Sequence, residues 1–504
     1  MTSASPTPDD AGSAAPDGAP PDPPARRVMV ALLTPLFAAL MSISIVNVAL
    51  PAIESGLGAG SSDLQWVLSG YALAFGVVLV PAGRAGDLWG RRRFFLLGVA
   101  VFGLASLMSA LAPTPMVLNI ARVLMGVGAG LLTPQIIGMI QQLFRGSARG
   151  RAYGLMSTVI GVAVAAGPAI GGLIIDVVGD DLGWRTTFLI NVPLTLLAFV
   201  LAFLWLPRTR GGAVTGTSSS TGTRTGSGGR RGLAALDPLG VALLSAAVVL
   251  VMLPFIQFRS GTGAFLGAAG LALMTVWAFW ERRLGRLDAE APMVNLALFT
   301  RPSYTLNTLV LSLYFLGMPA VWAVVAVYVQ QGLGHGALVA GVVTLPSAVM
   351  VMLLSTAVGR RVETSGPRML VVGTVIAVLS MLALAGATAL MGAGSGSLWL
   401  VGAALALNGL SQALIIPSAQ TLSMQDVPAR MAGAAGGVAQ TSQRLFTAVG
   451  IALVTGVYFS IAAAVDHHAA VLVASLAIAA CMLSAVLAAV LAARRARRAP
   501  AAAS

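Results

Sequence analysis

Residues 83–92 read GRAGDLWGRR, and residues 359–368 read GRRVETSGPR. The two stretches share one pattern, Gly-Arg-x-x-acid-x-x-Gly-x-Arg, and each follows an apolar run long enough to cross a bilayer. In the second apolar run after each of these loops, a glycine is followed eight residues later by a proline. These glycines are Gly126 and Gly409. The sequence therefore predicts two related halves, each with a polar loop between its second and third helices.

The composition of the chain excludes a soluble protein. Of its 504 residues, 57% are hydrophobic and 9% are charged, and the mean hydropathy is +0.89. An ordinary soluble domain has about 25% charged residues, so this chain has too little polar surface to cover its core in water. A soluble enzyme, a secreted disulfide domain and a disordered scaffold are excluded. The sequence predicts an all-α membrane protein.

Fourteen apolar runs are long enough to be transmembrane helices, at about 20 residues each. They begin near Val28, Leu64, Phe94, Pro115, Ala152, Thr186, Leu236, Ala264, Tyr304, Leu338, Met369, Leu398, Ala432 and Ala469. A Gly/Ser/Thr-rich stretch after the sixth run has the composition of a flexible linker. The predicted organisation is a disordered cytoplasmic tail (1–27), an N-terminal six-helix bundle (28–206), a cytoplasmic linker (207–235), a two-helix insert (236–302), a C-terminal six-helix bundle (303–493) and a basic cytoplasmic tail (494–504).

The distribution of the arginines indicates how these helices are oriented in the membrane. All 30 basic residues are arginines, and only Arg185 and Arg259 fall in loops on the side opposite to the N-terminus. Because cytoplasmic loops carry the excess of basic residues, both termini are predicted to be cytoplasmic in a multi-pass plasma-membrane protein. The net charge of +13 therefore reflects membrane topology, and we expect no nucleic-acid partner.

Internally repeated halves with a site at their interface are typical of secondary transporters, and the motifs add a family resemblance. Residues 83–93 resemble the loop motif of the major facilitator superfamily, and Arg122-x-x-x-Gly126-x-Gly128 is similar to its proton-transfer motif. Three segments resemble its fourteen-helix drug:proton antiporter branch: residues 47–51 (NVALP), 184–193 (WRTTFLINVP) and 281–283 (ERR). The resemblance implies the major facilitator fold, with 14 transmembrane helices arranged as two six-helix bundles plus a two-helix insert.

The first polar loop is a candidate conformational latch, formed by Gly83, Asp87, Gly90, Arg91 and Arg92. A carboxylate at this place can cap the N-terminus of a neighbouring helix in one conformation and release it in another. The alternative is a solvated ion-pair cluster that only sets topology. The resemblance implies that the latch stabilises the outward-open state.

Arg122 lies within a predicted span, where an arginine is costly unless it faces a cavity or a partner. The alternative is that its side chain extends to the membrane surface. The family usually has an acid five residues before the motif asparagine Asn47, whereas this chain has Ser42. Since serine cannot titrate, we assign proton coupling to Arg122 together with Asp176, the best remaining carboxylate.

Other polar residues in the spans are candidates for the substrate cavity: Asn47, Tyr71, Gln135, Asn191, Asn408, Gln412 and Arg444. The alternative for the uncharged ones is a purely structural role in hydrogen bonding between helices. A further motif, which resembles the one associated with antiporters, contains Gly167, Pro168, Gly171 and Gly172. Its small residues permit close helix packing, either as a static contact or as a moving seam.

The sequence therefore predicts a proton-coupled efflux transporter that exports amphipathic drugs, antibiotics or secondary metabolites by alternating access. Its expected partners are a small amphipathic substrate, protons and the lipid bilayer, and we expect a monomer without cofactor or metal. The sequence contains no phosphate-binding glycine loop with a lysine and no nucleophile–base pair, so it gives no indication of an enzyme. The alternative is a lipid or lipid-conjugate translocase of the same fold, and a membrane scaffold is a weaker third reading.

Overall fold

A computed structural model of the chain describes residues 25–207, 236–256, 261–287 and 291–498. Nearly all of the predicted N-terminal tail, the linker from residue 208 onward and residues 499–504 of the basic tail lie outside the described residues. Within the described ranges the regular structure is helical, without strands. An all-helical membrane protein is confirmed.

The N-terminal half contains seven helices in chain order. They are α1 (Ala25–Leu57), α2 (Ser61–Trp89), α3 (Arg91–Ala110), α4 (Pro115–Leu143), α5 (Gly146–Val178), α6 (Asp180–Leu189) and α7 (Asn191–Trp205). The last two are separated only by Ile190, and residues 182–205 together are long and apolar enough for one crossing. The predicted sixth span therefore begins earlier than expected, inside α6.

The rest of the described chain forms a helix pair followed by the C-terminal half. These helices are α8 (Pro238–Ile256), α9 (Gly261–Leu287), α10 (Pro302–Val327), α11 (Ala337–Gly392), α12 (Leu398–Met424), α13 (Ala432–Ala464) and α14 (His467–Arg498). A π-helical turn, Tyr328–Gly332, extends α10. Two predicted tail boundaries shift, because α1 already includes Arg26 and Arg27 and because α14 continues to Arg498.

The described residues contain 12 helices that are long and apolar enough to cross a membrane, rather than the fourteen predicted. The difference has two physical sources. The predicted tenth and eleventh spans merge into α11, which has 56 residues. The predicted seventh span corresponds to α8, whose apolar part, Pro238–Pro254, is shorter than a full crossing.

The packing of α11 shows that this helix folds back on itself. A Cβ built on Gly409 of α12 would collide with Ser347, and a Cβ on Gly373 would lie 2.8 Å from the Cβ of Leu414, also in α12. At about 1.5 Å per residue, Ser347 and Gly373 would lie about 39 Å apart in a straight helix, whereas Gly409 and Leu414 are about 8 Å apart. Two parts of α11, one on each side of the repeated loop, therefore pack against one short stretch of α12.

Glycines allow the closest approaches between helices within each half. In the N-terminal half, a Cβ on Gly128 of α4 would lie 2.6 Å from the backbone nitrogen of Phe102 in α3 and 2.9 Å from the Gly98 carbonyl oxygen. These distances are too short for any side chain. The α3–α4 pair thus depends on backbone-to-backbone packing of the small-residue type that is common in membranes.

Two seams join the halves. In the first, α2 meets α13, and a Cβ on Gly83 would collide with the carbonyl group of Gly433. In the second, α5 meets α11, and a Cβ on Gly150 would collide with the carbonyl oxygen of Gly359. Gly83 and Gly359 open the two copies of the repeated polar loop, so both copies occupy equivalent places at the same end of the molecule. We call this end the basic face; it carries Arg91, Arg149, Arg360 and Arg430.

Filling the α3–α4 contact should destabilise the protein. We expect Gly128→Val to lower the free energy of unfolding by about 1–3 kcal/mol or more, because overpacking at a rigid backbone contact cannot relax. The measurement is thermal unfolding of the detergent-purified chain. Gly386→Val is the matched control, because no atom lies within 4 Å of a Cβ built there. An equal loss in both variants would contradict this account of α3–α4 packing.

Candidate functional site

Asp87, near the end of α2, caps a helix in the opposite half. Its Oδ1 accepts a hydrogen bond from the backbone N–H of Gly433 at 3.1 Å, and its Oδ2 accepts one from Ala434 at 2.9 Å. Both N–H groups belong to the first turn of α13, which begins at Ala432. Such N–H groups have no partner within their own helix, and the helix dipole favours a negative charge there.

Arg91 connects this cap to two other elements. Its guanidinium forms an ion pair with Asp87 at 2.7 Å and donates to the Gly138 carbonyl oxygen at 2.6 Å. It also donates to Gln142 Oε1 at 3.0 Å and to the carbonyl oxygen of Ala429, which precedes α13. Arg91 thus holds α4 and the approach to α13 against the same carboxylate, and it is buried despite its position at a helix terminus.

The structure brings four of the five predicted latch residues together. Gly83 provides the backbone contact with α13, and Gly90 separates α2 from α3 with φ 106°, a conformation that favours glycine. Arg92 points elsewhere: it donates to the Phe203 carbonyl oxygen at 2.6 Å, and its guanidinium lies 5.2 Å from the Phe203 ring centroid. Arg92 therefore contacts α7 in its own half.

The second copy of the loop has equivalent partners with weaker polar contact. Glu363 occupies the place of Asp87, and its carboxylate oxygens lie 3.2 and 3.3 Å from the Cβ position of Gly146, the first residue of α5. The side chain of Glu363 is exposed. The hydrogen bonds of the described residues include none to Glu363, so the α5–α11 seam depends on glycine packing rather than on a carboxylate cap.

Contacts between the halves lie toward the basic face. Thr441 donates to the Gly76 carbonyl oxygen at 3.3 Å, and Gln141 donates to the Met424 carbonyl oxygen at 2.6 Å. Each of these residues lies at mid-helix or closer to the basic face. Gln141 is a functional candidate that the sequence prediction missed, because one glutamine in an apolar helix carries no sign of its partner.

Arg122 is buried in the N-terminal half, with 1% of its surface exposed. Its Nε donates to the Val67 carbonyl oxygen at 2.8 Å, and a terminal nitrogen lies 3.4 Å from Ser42 Oγ. Its guanidinium also lies 4.5 Å from the ring centroid of Tyr71. The side chain therefore turns into the protein and does not extend to the membrane surface, while its predicted place in a cavity stays a prediction.

Arg444 approaches the same group of aromatic rings from α13 in the other half. Its guanidinium lies 4.5 Å from the ring centroid of Phe75, which packs edge-on against Tyr71 at 6.0 Å. Its buried Nε has no hydrogen-bond partner among the described residues. The structure thus brings Tyr71 and Arg444, two of the predicted cavity residues, into one group with Arg122 that spans both halves.

The remaining predicted cavity residues are dispersed. Asn408 lies 3.0 Å from the sulfur of Met318, and Gln135 donates to the Ala82 carbonyl oxygen at 2.7 Å. Asn191 donates a hydrogen bond to a carbonyl oxygen in its own turn of helix. Asn47 is exposed and also bonds its own helix, whereas Gln412 is partly buried. Their proposed contact with substrate stays a prediction.

The antiporter-like motif packs within its own half. A Cβ on Gly167 would collide with Ser44 Oγ, and a Cβ on Gly171 would lie 2.7 Å from Ile45 Cγ1, both in α1. A Cβ built on Gly172 would have no atom of another element within 4 Å, and Pro168 is exposed. The close contacts of this motif therefore join α5 to α1, while other glycines of α5 face α11.

The predicted proton carrier, Asp176, is exposed at the end of α5. Two other carboxylates, Asp237 and Glu281, are buried, with 3% and 1% of their surfaces exposed. They converge over Gly240, where a Cβ would collide with Asp237 and lie 2.9 Å from Glu281 Oε1. The Trp280 indole N–H donates to Asp237 at 3.0 Å, and neither acid has an arginine within 4.0 Å among the described residues.

The comparisons with known proteins agree with this architecture. A sequence profile of the Major Facilitator Superfamily matches residues 32–451. The chain belongs to the Major Facilitator Superfamily. It is therefore a multi-pass membrane transporter.

Its relatives include export and resistance proteins of streptomycetes. The chain is 30% identical over 465 residues to a probable actinorhodin transporter of Streptomyces coelicolor, covering 88% of this chain and 75% of that protein. It is 30% identical over 411 residues to the tetracenomycin C resistance and export protein of Streptomyces glaucescens, covering 81% and 71%. The fold resembles that of the human organic anion transporter MFSD10, with a TM-score of 0.64, 15% identity and coverage of 93% of this chain and 100% of that one.

Removal of the Asp87 charge should weaken the α2–α13 seam. In Asp87→Asn, the ion pair with Arg91 is lost and the amide can accept fewer of the N–H groups of α13. Hydrogen bonds to charged groups contribute about 1.5–3 kcal/mol, so we expect the closed population at the basic face to fall about tenfold or more. Spin labels at Arg93→Cys and Gln425→Cys, in a Cys481→Ser background, measure the separation across the seam.

Asp63→Asn is the control for this experiment, because Asp63 accepts a hydrogen bond from Gly60 at the opposite end of α2. We expect its distance distribution to match that of the unsubstituted chain. A distribution in Asp87→Asn that also remains unchanged would contradict the latch role.

Proposed function

We propose that this chain is an efflux transporter of the plasma membrane, which exports amphipathic drugs, antibiotics or secondary metabolites in exchange for protons by alternating access. The observation that carries the proposal is the Asp87 cap, a charged contact between halves that can form only when α2 and α13 meet. The antibiotic export and resistance functions named for its relatives support the direction of transport.

The basic face is the cytoplasmic side under this proposal, because arginine-rich loops remain in the cytoplasm. The contacts across both seams then correspond to a state closed toward the cytoplasm, in which a central cavity opens outward. Release of Asp87 from α13 allows the halves to rock about the site between them and opens the cytoplasmic entrance. The fold-back of α11 and the position of α8 beside α2 support fourteen crossings, arranged as two six-helix halves plus the α8–α9 insert.

The fourteen-crossing topology predicts that α11 returns to the side on which it began. In a Cys481→Ser background, a membrane-impermeant thiol reagent should label His335→Cys and Ser395→Cys from outside the cell. It should label Thr364→Cys, near the middle of α11, only from inside; all three positions are exposed. Labelling of positions 335 and 395 from opposite sides would contradict the topology.

Proton exchange requires a group that binds and releases protons during the cycle. Asp176 was expected for this role, and its exposure leaves it without the burial that tunes such groups. The Asp237–Glu281 pair is the stronger candidate, because two adjacent buried carboxylates without an arginine bind a shared proton readily. Asp237 is also held at φ 53°, an uncommon conformation for a residue other than glycine.

Proteoliposomes that contain the purified full chain test proton coupling. We expect a transported amphipathic compound, from a panel of a lipophilic cation, a neutral macrocycle and an anionic polyketide, to collapse an imposed pH gradient. The combined Asp237→Asn and Glu281→Gln changes should reduce this flux at least tenfold, whereas Asp63→Asn should not. Loss of flux in Asp176→Asn alone would assign the carrier to α5, and transport without proton movement would refute proton exchange.

Lipid translocation is the second candidate, and the position of the insert favours it. Val248 and Met252 of α8 lie against Gly76 of α2, and the same apolar cluster includes residues of α13, so α8 covers one side of the α2–α13 seam. Such a helix could open a lateral path for a lipid. Vesicles with a fluorescent phospholipid in one leaflet distinguish the two functions: a translocase moves the lipid without added drug, whereas an exporter does not.

A further inference from the structure

We propose that the group formed by Arg122, Tyr71, Phe75 and Arg444 binds an anionic aromatic substrate, so that the exported compound carries a carboxylate or phenolate. This inference rests on the proposed export function and names the substrate class of its central site.

The two guanidinium groups are cations without an anionic partner. Arginine remains charged at all physiological pH values. Among the described residues, the ion pair within 4.0 Å is that of Arg91 with Asp87, and neither Arg122 nor Arg444 has a carboxylate at that distance. A buried charge without a counterion is unfavourable. The site is therefore electrostatically complementary to an anion.

Ser42 explains why Arg122 lacks a partner. Its hydroxyl is the side-chain oxygen that faces the guanidinium, at 3.4 Å. The motif resemblance leads to an acid at this position, and an acid there would neutralise Arg122. With serine, the positive charge remains available, and a cationic substrate has no carboxylate to bind in this part of the molecule.

The rings between the arginines favour a flat ligand. Tyr71 and Phe75 lie one turn apart on α2 and pack edge-on, with one guanidinium against each ring at 4.5 Å. A polycyclic aromatic ligand can stack on such rings while its carboxylate accepts two parallel hydrogen bonds from a guanidinium.

The two arginines belong to different halves, since Arg122 is in α4 and Arg444 is in α13. An anion held between them draws α13 toward the N-terminal half by direct attraction. Arginine alone does not distinguish a carboxylate from a phenolate, so the substrate class includes both.

The test uses the purified full chain in lipid nanodiscs and three matched probes: anthracene-2-carboxylate, its neutral carboxamide and the cationic aminomethyl analogue. Binding is measured by calorimetry at neutral pH. We expect the carboxylate to bind at least tenfold more tightly than either analogue. Arg444→Gln should remove this preference and leave carboxamide binding unchanged, whereas Arg444→Lys should retain part of it.

Arg185→Gln is the matched control, because Arg185 stacks on Trp184 at 4.3 Å but bonds the carbonyl oxygens of Ala110 and Ala112 away from this site. Arg122→Gln is the second variant, and thermal unfolding shows whether it folds. If it does not fold, Arg444→Gln and Arg444→Lys decide the outcome. Equal or tighter binding of the cationic analogue, or unchanged carboxylate binding in Arg444→Gln, would overturn the proposal.

Vesicle export of the same three probes separates this inference from the proposed function. Export of the cationic or neutral probe with no dependence on Arg444 would support efflux and refute the anion site. Arginine-dependent binding of the carboxylate with no export of any probe would support the site and refute efflux.

Discussion

The contact between Asp87 and the first turn of α13 organises the rest of the structure. Its carboxylate accepts two N–H groups of α13 and an ion pair from Arg91, which continues to α4 and to Ala429. The carboxylate can reach α13 only because Gly83, one turn earlier on the same face of α2, lets the two backbones touch. The spacing of glycine and acid in the loop motif is therefore a geometric requirement of the seam.

Much of this arrangement could be predicted from the sequence. The repeated loop identified the two halves, and the spacing of Gly83, Asp87 and Gly90 indicated a capping carboxylate at a tight turn. Other features depend on contacts between distant segments and could not be predicted. The sequence does not reveal that Asp237 meets Glu281 over Gly240, nor that Arg92 turns to α7. The sequence likewise predicts two separate helices where the structure has one helix, α11, because the repeated loop within it remains helical, despite Pro367, although the chain folds back there.

The distribution of unpaired charge bears on how transport is driven. Arg122 and Arg444, which have no carboxylate within 4.0 Å among the described residues, lie one in each half, and the buried carboxylates without an arginine lie in the insert, so the proposed substrate and proton sites are separate. Moving one charge through a membrane potential of 100 mV contributes about 2.3 kcal/mol. Export of one anion with import of one proton moves two positive charges inward, so an inside-negative potential contributes about 4.6 kcal/mol per 100 mV. An anionic substrate thus draws on the potential itself, and this gain does not need the acid that Ser42 replaces in α1.

The two seams differ in a way that links the site to the latch. The α5–α11 seam is close glycine packing with an exposed Glu363, which suits a pivot, whereas the α2–α13 seam is closed by charge. The same two helices, α2 and α13, also carry Phe75 and Arg444. Along α13, ten residues separate Arg444 from Ala434, about 15 Å at the helical rise. A ligand that pulls on Arg444 and a carboxylate that holds Ala434 therefore act on the same helix, so occupation of the proposed site changes the stability of the cap through α13.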